Sequence, residues 1–187
     1  MPVRLMPATI IDREHIPLWS AKPVDFAVSS IGESGGMWRF VIENTAYLLD
    51  PAKADSVGKT NFIDPSRTYP LDGDLSTTGT YVSTTSNGWV DADVGVDMSV
   101  VSRYVVLVRV GCYSSYYQTY CVVGLFGSAD LVTWVQLWEV QTNSGGEVIA
   151  HGLVKPGNFR AFKVMFRRIN SDRHVYCRTY ELSVYRV

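Results

Sequence analysis

From about residue 79 onward the chain runs in short apolar or alternating segments, punctuated by glycine, serine and asparagine clusters. That spacing, with its wealth of β-branched and aromatic residues, predicts an all-β sandwich of antiparallel strands. RYVVLVRVGCY (residues 103–113) is apolar on both faces except at Arg109, as expected of a central strand covered on both sides. VVGLFG (122–127) and TWVQLWEV (133–140) follow as neighbouring strands. FRAFKVMFRR (159–168) alternates, with Phe162, Val164 and Phe166 on one face and Lys163, Met165 and Arg167 on the other. After the polar turn NSDRH, the final strand VYCRTYELSVYRV places Tyr180, Leu182 and Val184 opposite Glu181 and Ser183. These last two strands are expected to pair as a hairpin.

No window after residue 79 sustains a 3.6-residue apolar period, so long helices are not expected there. PAKADSVGK (51–59) predicts one or two helical turns, with Asp50 as cap and Pro51 at the first helical position. Before it, VDFAVSSI (24–31) and MWRFVIE (37–43) read as two strands separated by GESGG, and the proline-rich start reads as an arm. The expected organisation is an N-terminal arm with extra strands over residues 1–60, then a sandwich over 61–187.

At 187 residues, 47% of them hydrophobic and 19% charged, the chain is large enough for one well-buried core and too apolar to be disordered. No stretch approaches a membrane span of about 20 apolar residues. Prolines and charges interrupt the first 19 residues, so no secretory leader is expected. The net charge is −1, yet eight Asp fall between residues 50 and 97, and eight Lys or Arg fall after residue 154. The basic residues are interleaved along strands and not massed on one helix or tail, which argues against nucleic-acid binding. Cys112, Cys121 and Cys177 match no zinc spacing. Cys112 and Cys121 flank YSSYYQTY, which reads as a hairpin tip, so a disulfide and a pair of buried free thiols are both open.

LDGDLSTTGTY (71–81) packs two carboxylates, a glycine and several hydroxyls into one turn. Such a turn presents hard oxygen donors of the kind calcium takes. The plainer alternative is a turn whose Asp72 and Asp74 cap their own backbone amides.

The order of motifs from about residue 61 to 187 resembles the discoidin, or coagulation-factor type C, domains of the galactose-binding-like jelly-roll superfamily. LDGDLSTTGTY is similar to that family's calcium-loop segment, and VDADVGVDM (90–98) resembles its valine, aspartate, leucine, glycine strand. GLFGSADLVTWVQL (124–137) resembles its serine, aspartate, tryptophan hairpin, and FRAFKVMF with YELSVY resembles its last two strands. VDADVGVDM lacks the usual triplet, and the cysteines do not sit at the domain ends. The resemblance implies a jelly roll, and a structural calcium ion held by Asp72, Asp74, Thr77 and Glu181.

Tyr113, Tyr116, Tyr117 and Tyr120 lie in a predicted loop without hydrophobic period, and Trp89 follows Asn87-Gly88. Exposed rings of this kind stack on sugars or pack into a partner protein. Trp134 reads as core. His15, His151 and His174 are scattered, GLFGSAD lacks the nucleophile elbow of hydrolases, and no motif supports paired catalytic carboxylates, so no enzyme is expected. Two functions are expected of such a chain. The first is a structural or adhesion subunit of a virion or other extracellular assembly, touching homo- or hetero-oligomeric neighbours through its arm and tyrosines, with glycan binding besides. The second is a carbohydrate-binding module that attaches a particle or enzyme to a surface glycan.

Overall fold

The computed structural model describes residues 8–11, 28–34, 36–42, 45–77, 79, 81–114, 119–143, 146–170 and 173–186. Among the described residues, ten strands form two sheets. β1 (Ala8–Ile11), β2 (Val28–Ser34), β3 (Met37–Ile42) and β4 (Thr45–Leu49) make a four-stranded N-terminal sheet in the order β1-β4-β3-β2. The second sheet contains β5 (Val82–Thr84), β6 (Val90–Ser114), β7 (Tyr120–Ser128), β8 (Val135–Thr142), β9 (Val148–Ile169) and β10 (Val175–Arg186), in the order β5-β10-β6-β9-β7-β8. Among the described residues no helix is long and apolar enough to cross a membrane.

Two strands are too long to stay in one flat layer. The register of β6 against β9 shifts between Asp91 and Gly95 and again between Asp97 and Ser102, and Asp93 and Ser99 have φ of 60° and 70°. Bulges and left-handed residues of this kind bend a strand sharply. The first half of β6 therefore runs with the second half of β9, β7 and β8 in one layer. Its second half runs with the first half of β9, β10 and β5 in the other. One core joins the layers: Val94, Val96, Val123, Leu125, Val164 and Phe166 from the first, and Val106, Val108, Val110, Leu182 and Val184 from the second. The kink at Asp93 is clamped by Asn61, whose Nδ2 donates to the Asp93 carbonyl at 2.6 Å and whose Oδ1 accepts from the Gly95 amide at 3.0 Å. Arg67 adds an ion pair to Asp93 at 2.7 Å.

The all-β antiparallel sandwich expected from the periodicity is the observed fold, and the alternation in residues 159–168 is as read: Phe162, Val164 and Phe166 are buried in the core. Three expectations are corrected. The last two strands do not form a hairpin, since β9 pairs with β6 and β7 while β10 pairs with β5 and β6. β9 ends in one layer and β10 begins in the other. Cys112 and Cys121 do not face each other across a hairpin either, because β6 and β7 are not paired. They meet across the core as free thiols, and the Cys112 Sγ–H donates to the Cys121 carbonyl at 3.4 Å. Finally, a register shift between Thr179 and Glu181 separates Tyr180 from the core face carrying Leu182 and Val184.

The helical signal at residues 51–59 becomes a single 3-10 turn, Pro51–Lys53, with the Asp50 carboxylate accepting from the Ala52 amide as the capping pattern required. Residues 55–56 then fasten to β10: the Asp55 amide donates to the Val184 carbonyl at 2.7 Å, and the Ser56 hydroxyl donates to the Leu182 carbonyl at 3.0 Å.

Candidate functional site

Two places on the second layer gather polar and aromatic chemistry. The first is an open patch built on β10, the end of β6 and the segment before β5. Tyr176 pairs with Tyr113 across one ladder and with Ser83 across the other, while Arg178 pairs with Gly111. Because strand faces alternate, Tyr176 and Arg178 point away from the core side of Val175 and Cys177. Tyr81, 39% exposed, completes a triangle of rings with centroids 6.3 Å from Tyr113 and 6.1 Å from Tyr176, and Tyr113 lies 5.5 Å from Tyr176. His174 stacks beside Tyr176 at 6.3 Å.

A polar clamp borders the rings. The Arg178 guanidinium sits 4.0 Å from the Tyr81 ring centroid and donates to the Tyr180 hydroxyl at 3.2 Å. That hydroxyl donates in turn to Glu147 Oε1 at 2.8 Å, and Glu147 Oε2 lies 3.9 Å from Arg178. Gly111 makes room for this arrangement, since a Cβ there would run into the Glu147 carboxylate. Burial and Glu147 push the Tyr81 hydroxyl up to about 12, so it stays a neutral donor and acceptor at physiological pH.

The second place is the Leu71–Tyr81 turn beside β10. The Asp72 carboxylate accepts from the Asp74 amide at 2.8 Å, and Asp74 Oδ1 accepts from the Ser76 amide and hydroxyl at 2.8 and 2.7 Å. Thr77 donates its amide to the Asp74 carbonyl at 3.2 Å. These are the self-capping bonds of an acidic turn. Gly73 supports them with φ +76°, in a spot where a Cβ would lie 2.8 Å from the Ala52 Cα. Arg109 Nη1 donates to the Leu75 carbonyl at 2.7 Å and ties the turn to the sheet.

Glu181 faces this turn. It is fully buried, its Oε1 accepts from the Ser183 hydroxyl at 2.9 Å, and its Oε2 has no hydrogen-bond partner. Its pKa is raised to about 8, chiefly by burial, with the Asp72 and Asp74 charges adding to the rise against the pull of Ser183 and the Gly73 amide. Among the described residues, no three His, Cys, Asp or Glu side chains converge on one point as ligands. Hard oxygen donors lie beside the unpartnered Glu181 Oε2, but Asp72 and Asp74 each turn an oxygen to a backbone amide of their own turn.

The structure thus brings Asp72, Asp74 and Thr77 into one turn with Glu181 beside it. Tyr113 lies on the open patch, whereas Tyr120 begins β7 and pairs with Ile169. Tyr116 and Tyr117 lie outside the described residues, as does most of the proline-rich arm. Trp89 is on the other layer, edge-on to Phe126 at 5.0 Å, with the Arg167 guanidinium 4.8 Å above its ring. Trp134, read as core, is half-buried on that outer face, with Lys163 4.6 Å from its ring and Phe62 at 6.1 Å. Tyr81, Glu147, His174, Tyr176 and Arg178 were missed. The alternation of VYCRTY, with valine and cysteine inward, was the signal that places Tyr176 and Arg178 together on the outward face.

No protein-family model matches this chain, and no curated protein matches it. Solved structures do. One is chitosan-binding module 1 from a chitosanase/glucanase of Paenibacillus sp. IK-5, 15% identical, with a TM-score of 0.38, covering 71% of this chain and 98% of its own. Another is CBM32-1 from a family 31 glycoside hydrolase of Clostridium perfringens, 15% identical, with a TM-score of 0.40 and coverages of 69% and 89%. A third is the CBM32 of AlyQ in complex with 4,5-unsaturated mannuronic acid, 10% identical, with a TM-score of 0.37 and coverages of 89% and 97%.

Proposed function

We propose that this chain is a non-catalytic carbohydrate-binding module that attaches whatever carries it to a surface glycan, outside a cell or on a particle. The observation that carries this reading is the open ring triangle of Tyr81, Tyr113 and Tyr176 with the Arg178–Glu147 clamp at its border. A sugar ring has apolar C–H faces and a rim of hydroxyls. Aromatic faces accept the first, and a guanidinium beside a carboxylate donates to and accepts from the second. Binding through such a patch needs no bond-making group. Glu147 is the one carboxylate of the clamp, and glycoside hydrolysis generally uses two.

The reading includes a structural calcium ion held by Asp72, Asp74, Thr77 and Glu181, with the loop carbonyls. Such an ion supplies positive charge to a buried carboxylate and joins a turn to a strand more than 100 residues away. Its part is to hold the sandwich, and recognition lies on the tyrosine patch.

A glycan array followed by calorimetry with the best oligosaccharide tests the proposal. The wild type is expected to bind, and Tyr81→Ala and Tyr176→Ala are expected to weaken binding at least tenfold with little change in melting temperature. Absence of binding across plant, bacterial and animal glycans would reject the reading.

A further inference from the structure

The tyrosine patch is bordered by an arginine with unspent donors. The Arg178 guanidinium lies 4.0 Å from the Tyr81 ring centroid and 5.6 Å from that of Tyr180. A guanidinium carries five N–H donors. Among the described residues Arg178 makes one hydrogen bond, from Nη1 to the Tyr180 hydroxyl at 3.2 Å, and its buried Nε has no acceptor. Its counter-ion stands off: Glu147 Oε2 is 3.9 Å from Nη1, beyond hydrogen-bond reach, and Oε1 is taken by the Tyr180 hydroxyl at 2.8 Å. Other arginine–carboxylate pairs of the chain close fully. Arg67 reaches Asp64 at 2.9 Å and Asp93 at 2.7 Å, and Arg160 grips Asp97 at 2.9 and 2.7 Å. A second guanidinium, that of Arg109, lies 4.5 Å from the Tyr180 ring centroid, so two cations flank this ring while Glu147 is the carboxylate bonded to it. Farther along β10, Asp72 and Asp74 turn oxygens to their own amides, and the Tyr81 hydroxyl, pushed up to about 12, adds no negative charge near neutral pH.

We infer that Arg178 sets the ligand class of the patch, which takes sugars bearing a carboxylate, the uronic acids. The inference rests on the carbohydrate reading above. A sugar seated on Tyr113 and Tyr176 would turn its rim toward Tyr81 and the guanidinium stacked on it. A carboxylate on that rim supplies two acceptor oxygens in one plane, which match the planar fork of arginine. The hydroxyl of a neutral sugar also accepts, but a charge-assisted bond is about twice as strong as a neutral one. Glu147 is then a positioning residue. It holds the Tyr180 hydroxyl, which in turn holds Arg178 flat against Tyr81, and at 3.9 Å it leaves room for a closer anion.

The test sets the full chain against an array of oligogalacturonate, oligoglucuronate and oligomannuronate, each beside its carboxyl-reduced, neutral counterpart, with sulfated oligosaccharides as a further arm. Calorimetry then compares the best uronate with its reduced form on the wild type, Arg178→Gln and Arg178→Lys, with melting temperatures as the check on folding. At least one uronate is expected to bind the wild type about tenfold more tightly than its reduced form, the factor of one hydrogen bond to a charged group. That preference should shrink as salt is raised. Arg178→Gln should lose about tenfold for the uronate and less for the reduced sugar, and Arg178→Lys, which keeps the charge without the fork, should fall between. Reduced sugars that bind as tightly as uronates, or an Arg178→Gln loss equal for both, would overturn the acidic class and leave carbohydrate binding standing. Sulfated sugars binding where no uronate does would overturn the carboxylate. No binding to any glycan would overturn both readings.

Discussion

Replacing Glu181 with glutamine separates the cost of a buried charge from the benefit of a cation. In the metal-free protein the Glu181 pKa rises from 4.5 to about 8, chiefly through burial. A carboxyl whose folded pKa lies above its unfolded value binds its proton more tightly when folded. It therefore contributes stability that is complete below about pH 4.5 and lost as the pH rises through about 8. At about 1.36 kcal/mol per pH unit, the loss across that window is of the order of 5 kcal/mol. Part of the window overlaps physiological pH, so the metal-free protein should be markedly weaker at pH 8 than at pH 5.5. Urea unfolding in chelator at the two pH values measures this, and excess calcium at pH 8 should restore most of the loss through preferential binding to the folded state. Glu181→Gln should remove the slope in chelator, unfold at higher urea than the wild type at pH 8, and gain nothing from calcium. A metal-free wild type whose stability is flat or rising between pH 5.5 and 8 would refute the reasoning, as would a calcium effect that survives in Glu181→Gln.

Other expectations follow from single residues. Gly73→Ala puts a Cβ at φ +76° and against the Ala52 backbone, so it should lower stability by about 1–3 kcal/mol and weaken calcium binding, measured by urea unfolding and calorimetry. Phe166→Ala empties a fully buried ring site and should cost about 3–5 kcal/mol in the same unfolding assay. Asp130 accepts from the Val132 and Thr133 amides and the Ser128 hydroxyl, which hold its carboxyl down to about 2. A depressed pKa contributes stability that is present above the ordinary carboxylate value and lost as the pH falls toward about 2, so Asp130→Asn should flatten the acid side of the melting-temperature profile.

Strand faces were the most legible feature of the sequence, because the two-residue period is local. Phe162, Val164 and Phe166 could be assigned to the core from their own segment, and they are buried there. Strand partners were not legible in the same way. β9 and β10 are consecutive, yet they lie in different layers, since β6 and β9 each bend and serve both. The bulge at Tyr180 is equally invisible to a two-residue period. It moves that ring from the expected core side to the clamp with Arg178 and Glu147. Glu181 and Ser183 read as a polar outward face, which their own strand supports. They are buried because Trp38 of the N-terminal sheet and the turn near Gly73 cover them, and cover of that kind depends on segments more than 100 residues away. The tyrosine patch was half legible for the same reason: Tyr113 stood out in a tyrosine-rich run, while Tyr81, Glu147 and Tyr176 acquire meaning only when three strands lie side by side.

The central claim is that glycan is held on the tyrosine patch of the second layer. Nuclear magnetic resonance mapping of an isotope-labelled chain, titrated with the oligosaccharide that binds best on an array, addresses it most directly. The resonances of Tyr81, Tyr113, Tyr176 and Arg178 are predicted to shift in proportion to saturation, with Trp89 and Trp134 on the opposite layer unmoved. Shifts confined to Trp89 and Trp134, or no shift with any glycan, would contradict the account.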